Sequence, residues 1–170
     1  AGRLSGEVVF MGHSRGGAIS ILKAAEDERV KKLVTWASVA EFGRFWSDDV
    51  LKKWRHDGVM YIYNGRTGQD MPMYYSSYED FYANRERLDV PAAARRVNKP
   101  WLIVHGTADP TVDVEAAHTL HRLAPQNQQV IVEEAGHTFG ARHPWIEPIL
   151  PDDLQAVLDD APAAYDNANA

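Results

Sequence analysis

Short apolar runs and amphipathic stretches alternate along the chain. The apolar runs have the length and composition of buried β-strands, which we predict over residues 8–11, 30–40, 101–106 and 129–133. The stretches between and after them predict helices over residues 18–25, 90–97, 114–123 and 151–160. This alternation predicts an α/β fold, in which helices flank a mainly parallel sheet with right-handed crossovers.

Residues 42–89 have a different character, because they are rich in aromatic and charged side chains and in Gly and Asn turns. We predict a helix capped by Ser47, a hairpin that pairs residues 59–64 with 71–75, and a further helix over 77–87. This aromatic-rich insertion is either a lid over a binding site or a packing layer, and the sequence favours neither.

The composition is that of one soluble globular domain, with 45% hydrophobic and 25% charged residues in a chain of 170 and no cysteine. We predict a single domain over residues 1–160, with the insertion at 42–89, followed by a flexible tail at 161–170. The net charge of −6 argues against nucleic acid or an anionic membrane as a partner. No apolar run reaches membrane-spanning length and no signal peptide is visible. Because the sequence starts one short turn before a predicted strand and an upstream part could carry such a signal, the location stays unknown, with the cytoplasm slightly favoured.

The first predicted strand runs directly into Gly12-His13-Ser14-Arg15-Gly16-Gly17, and a predicted helix follows. Strand, tight turn and helix around Gly-x-Ser-x-Gly are the context of a nucleophile elbow, where a strained serine projects its hydroxyl above the sheet edge. Gly12 and Gly16 have no Cβ to clash in such a turn, and Gly17 lets the helix start pack closely. The N–H of Arg15 would then point to a developing oxyanion. The alternative is a glycine-rich phosphate cradle, but Gly-Lys-Ser/Thr is absent.

Three side chains with complementary chemistry each follow a separate predicted strand. Ser14 follows the first strand, Asp109 the third and His137 the fourth. Because the carboxyl ends of parallel strands meet at one edge of a sheet, we expect these side chains to lie together. A serine hydroxyl needs a base to become a nucleophile, a histidine accepts that proton, and a carboxylate orients the imidazole. The pattern therefore indicates nucleophilic catalysis.

The chain resembles the C-terminal half of the α/β-hydrolases, in the part of that superfamily with the serine esterases, dienelactone hydrolases and prolyl-oligopeptidase-like enzymes. Three motifs carry the resemblance: the elbow at 12–17, His-Gly-x-x-Asp at 105–109 and Gly-His at 136–137. The resemblance implies a partial α/β-hydrolase domain that contains about four strands, the C-terminal half of the sheet.

The resemblance also implies a role for each candidate residue. Ser14 would be the nucleophile, Asp109 the acid and His137 the base, and the N–H of Arg15 one oxyanion-hole donor. It implies no cofactor and no metal ion, and a small-molecule ester or peptide-like substrate. We expect cleavage of a carboxylic ester or related acyl bond through an acyl-enzyme on Ser14. The alternatives are a serine peptidase of prolyl-oligopeptidase-like type and a truncated, non-catalytic hydrolase remnant or scaffold.

The first four strands of the family have no counterpart in this sequence, nor has the loop that supplies the second oxyanion donor. Loss of one such donor typically costs about 10²–10³ in rate, so we expect impaired activity. The strand at 8–11 would become an exposed sheet edge. We expect either that the chain is a fragment of a longer protein or that this edge pairs with a second copy, and we predict a two-fold homodimer.

Other polar residues near these motifs have structural interpretations. Asp113 also follows the third strand, but we expect it to cap the next helix. His118 and His121 are spaced three apart on that helix, and we favour surface positions over a metal site because a third ligand is missing. We expect His105 to be buried with its ring hydrogen-bonded, and His13 either to line the pocket or to pack structurally.

Overall fold

The computed structural model of the chain describes residues 6–43, 46–64 and 67–139. The chain divides into two compact units, one formed by the segments up to residue 40 and from residue 90, the other by residues 41–89. The helix predicted over 151–160 and the tail predicted from 161 lie outside the described residues. In chain order the elements are β1 (Val8–His13), α1 (Arg15–Glu26), β2 (Val30–Trp36), α2 (Asp48–Asp57), β3 (Val59–Asn64), β4 (Gln69–Tyr74), α3 (Ser76–Ala83), α4 (Val90–Arg96), β5 (Trp101–Gly106), α5 (Glu115–Leu123) and β6 (Gln128–Val132).

Within the described residues, the first unit is built on a four-stranded sheet with the order β1-β2-β5-β6. All three strand pairs are parallel, and in the register Thr35 lies opposite Ile103 and His105 opposite Ile131. Helix α1 packs against β1, β2 and α4, while α5 packs against β5, β6 and α4. The predicted α/β fold, a parallel sheet flanked by helices, is confirmed.

The burial of the strands follows their position in this sheet. Strand β5 is buried along its whole length, as its unbroken apolar run predicts for a central strand covered on both faces. Strand β1 pairs only with β2 among the described residues, and its alternate residues Val9 and Met11 are 43% and 53% exposed. Helix α1 covers the sheet with Ala18, Ile21 and Ala24, which are fully buried at helical spacing.

Two elements end four residues earlier than the sequence predicts. Strand β2 ends at Trp36 instead of residue 40, because Ala37 adopts a φ of 46° and leaves the extended conformation. Helix α3 ends at Ala83 instead of residue 87. There the side-chain amide of Asn84 donates to the carbonyl oxygen of Asp80 at 2.9 Å and satisfies a helix-terminal acceptor.

The second unit packs around Trp54. This side chain is 1% exposed, and its Nε1–H donates to the carbonyl oxygen of Met73 at 2.8 Å. The rings of Trp46 and Tyr75 lie 5.7 and 5.6 Å from the Trp54 ring, a separation typical of aromatic packing. Ser47 caps α2, as predicted. Strand β3 pairs with β4 in the predicted antiparallel hairpin, but β4 spans Gln69–Tyr74 instead of 71–75.

Candidate active site

Ser14 lies in the turn between β1 and α1 with an unusual backbone conformation. Its φ of 56° and ψ of −123° fall in a region that residues other than glycine rarely adopt. Three hydrogen bonds hold it there: the N–H of Ser14 donates to Trp36 O at 2.9 Å, and Ser14 O accepts from the N–H groups of Gly17 at 3.1 Å and Val39 at 3.4 Å. Helix α1 begins at Arg15 instead of residue 18, so Ser14 is its N-cap and stands at the positive end of the helix dipole.

Close packing requires two of the three glycines around Ser14. A Cβ on Gly12 would overlap the carbonyl oxygen of Gly16 and the hydroxyl of Ser20. A Cβ on Gly17 would lie 2.5 Å from Ser38 Oγ, which agrees with the predicted close packing of the helix start. A Cβ on Gly16, in contrast, would meet no atom within 4 Å. The prediction that Gly16 is needed to avoid a clash is therefore wrong.

The backbone N–H of Arg15 is available as a donor next to Ser14. The first N–H groups of a helix have no acceptor within the helix, and that of Arg15 donates to no group in the described part of the chain. The N–H of Ser14 itself is used in the bond to Trp36. An uncommitted N–H at a helix N-terminus stabilises negative charge, so Arg15 has the properties of an oxyanion donor.

Asp109 and His137 are joined by a hydrogen bond. His137 Nδ1 lies 2.8 Å from Asp109 Oδ2, and the two side chains are 17% and 0% exposed. They meet because Asp109 follows β5, His137 follows β6, and these parallel strands are neighbours. A carboxylate only accepts hydrogen bonds, so Nδ1 carries the proton and Nε2 of the neutral ring keeps its lone pair. This is the tautomer that a general base requires.

Asp109 is held in its charged form by several donors. Its Oδ1 accepts from the N–H groups of Thr111 at 2.8 Å and Val112 at 2.9 Å. Burial alone would raise the pKa of Asp109, but these bonds and the one from His137 outweigh burial and lower the pKa below its usual value. The carboxylate is therefore charged at neutral pH and able to stabilise an imidazolium beside it.

His105 lies buried behind the carboxylate of Asp109. Its Nε2–H donates to Val112 O at 2.9 Å and lies 3.4 Å from Asp109 Oδ2. Burial lowers the pKa of His105, so the ring is neutral and its Nδ1, unpartnered among the described residues, carries the lone pair. The prediction of a buried, hydrogen-bonded His105 is confirmed.

The loop that carries His137 is anchored on both sides of that residue. Before it, the chain passes so close to β5 that a Cβ on Gly106 would overlap the carbonyl oxygen of Ala135. After it, Phe139 is 3% exposed in the core, and its ring meets the Trp36 ring edge-on at a centroid distance of 4.8 Å. The sequence analysis predicted neither the close approach of Ala135 to Gly106 nor the burial of Phe139. Gly106 itself was a signal for the first of these contacts.

His13, the last residue of β1, contacts the same loop from the side of Ser14. Its Nε2 lies 2.8 Å from the carbonyl oxygen of His137, and the two imidazole centroids are 4.6 Å apart. The fold thus brings the Ser14 turn and the Asp109–His137 pair to one sheet edge. Among the described residues, the Ser14 hydroxyl makes no hydrogen bond to His137.

The remaining candidates have structural partners. Asp113 caps the start of α5 by accepting from the N–H of Glu115 at 2.8 Å, as expected. His118 and His121 each contact an amide side chain, at 3.3 and 2.6 Å. In the part of the chain that the structure describes, no three His, Cys, Asp or Glu side chains come together to hold a metal ion. No helix of that part is long and apolar enough to cross a bilayer.

Solved structures of hydrolases share this fold. A monoacylglycerol lipase of Paleococcus ferrophilus is similar with a TM-score of 0.64 and 17% identity, over 91% of this chain and 67% of that chain. Est1E of Butyrivibrio proteoclasticus gives a TM-score of 0.55 and 20% identity, over 77% and 53%. The esterase domain of a Rhodothermus marinus protein gives 0.53 and 22%, over 76% and 52%. The chain has the α/β-hydrolase fold and spans 52–67% of the length of these structures.

A family model gives a more specific relationship than the shared fold. No curated protein matches the chain. Residues 5–147, however, match the model of the prolyl oligopeptidase family. Since that match extends over most of the sequence, from before Ser14 to beyond Asp109 and His137, the chain belongs to the prolyl oligopeptidase family of α/β-hydrolases.

Proposed function

We propose that this protein is a serine hydrolase that cleaves a carboxylic ester or related acyl bond of a small molecule through an acyl-enzyme on Ser14. The observation that carries the proposal is the 2.8 Å hydrogen bond from His137 Nδ1 to the buried carboxylate of Asp109. Membership of a hydrolase family supports it. The positive φ of Ser14 supports it as well, because strain of this kind in a residue other than glycine concentrates at functional sites.

Each step of the proposed reaction uses one of these groups. His137 Nε2 accepts the hydroxyl proton of Ser14 as Oγ forms a bond to the substrate carbonyl carbon, and the carbonyl oxygen becomes an oxyanion. The oxyanion accepts a hydrogen bond from the N–H of Arg15. When the bond to the leaving group breaks, His137 returns the proton to that group and the acyl group stays on Ser14. Water then attacks the acyl carbon by the same route and releases the acid.

The charge of Asp109 is central to both halves of this cycle. His137 becomes an imidazolium whenever it holds the transferred proton, and the neighbouring carboxylate stabilises that charge. The lowered pKa of Asp109 keeps the carboxylate ionised throughout the neutral pH range. Among the described residues, Arg15 is the oxyanion donor that we identify, and removal of one such donor typically costs about 10²–10³ in rate. Single-turnover labelling is the suitable first assay.

Peptide-bond cleavage is the second candidate. Its support is the family itself, because the model that matches residues 5–147 is that of the prolyl oligopeptidases. The same chemistry serves both substrates, since an ester and an amide both pass through an oxyanion and an acyl-enzyme. p-Nitrophenyl esters of increasing chain length, assayed beside aminoacyl p-nitroanilides, distinguish an esterase from a peptidase by their kcat/KM ratios.

A fluorophosphonate probe tests the proposal directly, because it forms a covalent bond with an activated serine hydroxyl. We expect one adduct per chain in intact-mass spectra, mapped to Ser14 by peptide analysis. Ser14→Ala abolishes it, while Ser77→Ala, which changes an exposed serine of α3, leaves it unchanged. If the folded wild-type chain takes up no probe, the proposal is wrong and the interpretation as a non-catalytic remnant or scaffold stands.

A further inference from the structure

We propose that His13 is a positioning residue that sets the place of the catalytic base relative to the nucleophile. The proposal rests on the proposed function, since it takes His137 as the base and Ser14 as the nucleophile. His13 directly precedes Ser14, and its side chain reaches the main chain of His137. One hydrogen bond therefore ties the strand of the nucleophile to the residue that must take its proton.

The geometry of this contact defines what His13 donates. The carbonyl oxygen of His137 lies 2.8 Å from His13 Nε2 and only accepts hydrogen bonds, so Nε2 carries the proton. The two rings are tilted by 48° at a centroid distance of 4.6 Å, so they also pack against each other. The His13 side chain is exposed. Its hydrogen bond to His137 therefore links two segments at the surface, and the side chain is not part of the hydrophobic core.

The other described contacts of the His137 loop reach β5 and Trp36 of β2, and not β1. Asp109 holds the His137 ring from the side of β5, and Ala108 holds the loop by donating to Ala135 O at 3.1 Å. Phe139 anchors the loop in the core. Among the described contacts, only that of His13 joins this loop to β1, the strand that leads into Ser14.

The resting site makes such a constraint necessary. No hydrogen bond joins the Ser14 hydroxyl to His137 in the described part of the chain, so this pair does not fix its own separation. Proton transfer requires the two atoms within hydrogen-bond reach as the substrate arrives. A misplacement of about 1 Å reduces a rate by about 10²-fold, so a contact that limits drift of the His137 backbone has a large effect on turnover.

Two amide substitutions that differ by one methylene group test the hydrogen bond. In His13→Gln the side-chain NH₂ reaches close to the position of Nε2 and can donate to the same carbonyl oxygen. In His13→Asn it falls short, near the position of Nδ1. His13→Phe keeps an aromatic ring beside His137 but has no donor. Labelling of the wild-type chain that is lost in Ser14→Ala first establishes the proposed function.

We expect His13→Asn and His13→Phe to lower the rate constant of fluorophosphonate labelling and the kcat for p-nitrophenyl acetate by about 10–100-fold, with KM within about threefold. His13→Gln retains rates within about threefold of wild type. The melting temperature of each exposed-site variant stays close to that of wild type. This split between kcat and KM, with rescue by Gln, is not expected of a purely structural residue.

Hydrogen exchange supplies a readout that does not depend on catalysis. In His13→Asn and His13→Phe the amide of Phe139, which donates to Gly136 O at 3.1 Å, exchanges faster than in wild type and in His13→Gln. Wild-type labelling rates in His13→Phe overturn the positioning role while leaving the proposed function intact. Equal losses in His13→Gln and His13→Asn also overturn it, because donation to the carbonyl would then be irrelevant.

Discussion

Replacing Asp109 by Asn changes one atom of the site and reverses its hydrogen bonding. In the wild type, Oδ1 accepts from the N–H groups of Thr111 and Val112, and Oδ2 accepts from His137 Nδ1 at 2.8 Å. If the Asn oxygen keeps the two backbone bonds, its NH₂ group faces His137 Nδ1. Two donors then oppose each other, so the ring must move its proton from Nδ1 to Nε2. The nitrogen that should accept the serine proton is thereby occupied.

The wrong tautomer affects catalysis far more than folding. The corresponding change in a Ser-His-Asp triad lowers kcat by about 10⁴, which is our expectation for Asp109→Asn. The loss of one charge-assisted hydrogen bond at a fully buried carboxylate costs about 1.5–3 kcal/mol of unfolding free energy, well below the total stability of a typical domain. The variant is therefore expected to fold and to be almost inactive.

Asp113→Asn is the matched control. It also removes one negative charge a short distance along the chain, but Asp113 caps α5 and its Oδ1 accepts from the N–H of Glu115 at 2.8 Å. Asn is as good an N-cap as Asp, so stability and activity change little. The assay is the second-order rate constant of fluorophosphonate labelling at pH 7.5, with a urea titration of each variant.

The reasoning is refuted if folded Asp109→Asn labels within tenfold of the wild-type rate. It is equally refuted if Asp113→Asn loses activity to the same degree, because Asp113 and not Asp109 would then be the carboxylate that orients His137.

Three further predictions concern packing, pH and association. Gly17→Ala places a Cβ 2.5 Å from Ser38 Oγ, so we expect it to lower the free energy of unfolding by about 1–3 kcal/mol in a urea titration and to slow labelling. In the control Gly16→Ala the new Cβ meets no atom within 4 Å, so we expect unchanged or higher stability. Because the folded pKa of Asp109 is lowered, its carboxylate stabilises the fold fully above the unfolded value of about 3.9, and this contribution is lost as the pH falls through the lower folded value. The free energies of unfolding of wild type and Asp109→Asn should therefore differ less at pH 3 than at pH 6. We expect two chains to pair through β1 and to sediment as a dimer at micromolar concentration. The double variant Val9→Lys and Met11→Lys, at positions that are 43% and 53% exposed, should be a monomer, and a monomeric wild type contradicts the prediction.

The parallel sheet and its strand ends follow from the apolar pattern, because a buried central strand such as β5 needs an unbroken apolar run. Strand-end reasoning also led to Asp109 and His137, which lie 2.8 Å apart because their strands are neighbours. The α/β-hydrolase resemblance, drawn from three short motifs, agrees with the fold and with the family match.

Other features of the site depend on contacts between residues that are far apart in the sequence, and no sequence pattern marks these contacts. The sequence does not show whether Gly16 or Gly17 is the position that cannot carry a Cβ. The answer depends on Ser38, which lies against Gly17 in the folded chain. The contact of His13 with His137 escaped notice because its acceptor is a main-chain carbonyl, which every residue possesses. The assignment of Ser14, Asp109 and His137 to their catalytic roles stays a prediction for the labelling experiments.

The N–H of Ser14, a residue with a positive φ, has Trp36 O as its acceptor only while β1 lies alongside β2. A reagent aimed at the hydroxyl would thus double as a reporter of folding. Its uptake along a denaturant gradient should fade with the docking of these two strands, before or together with the loss of helix signal. The reactivity of Ser14 then depends on the pairing of β1 with β2 and not on the serine side chain alone.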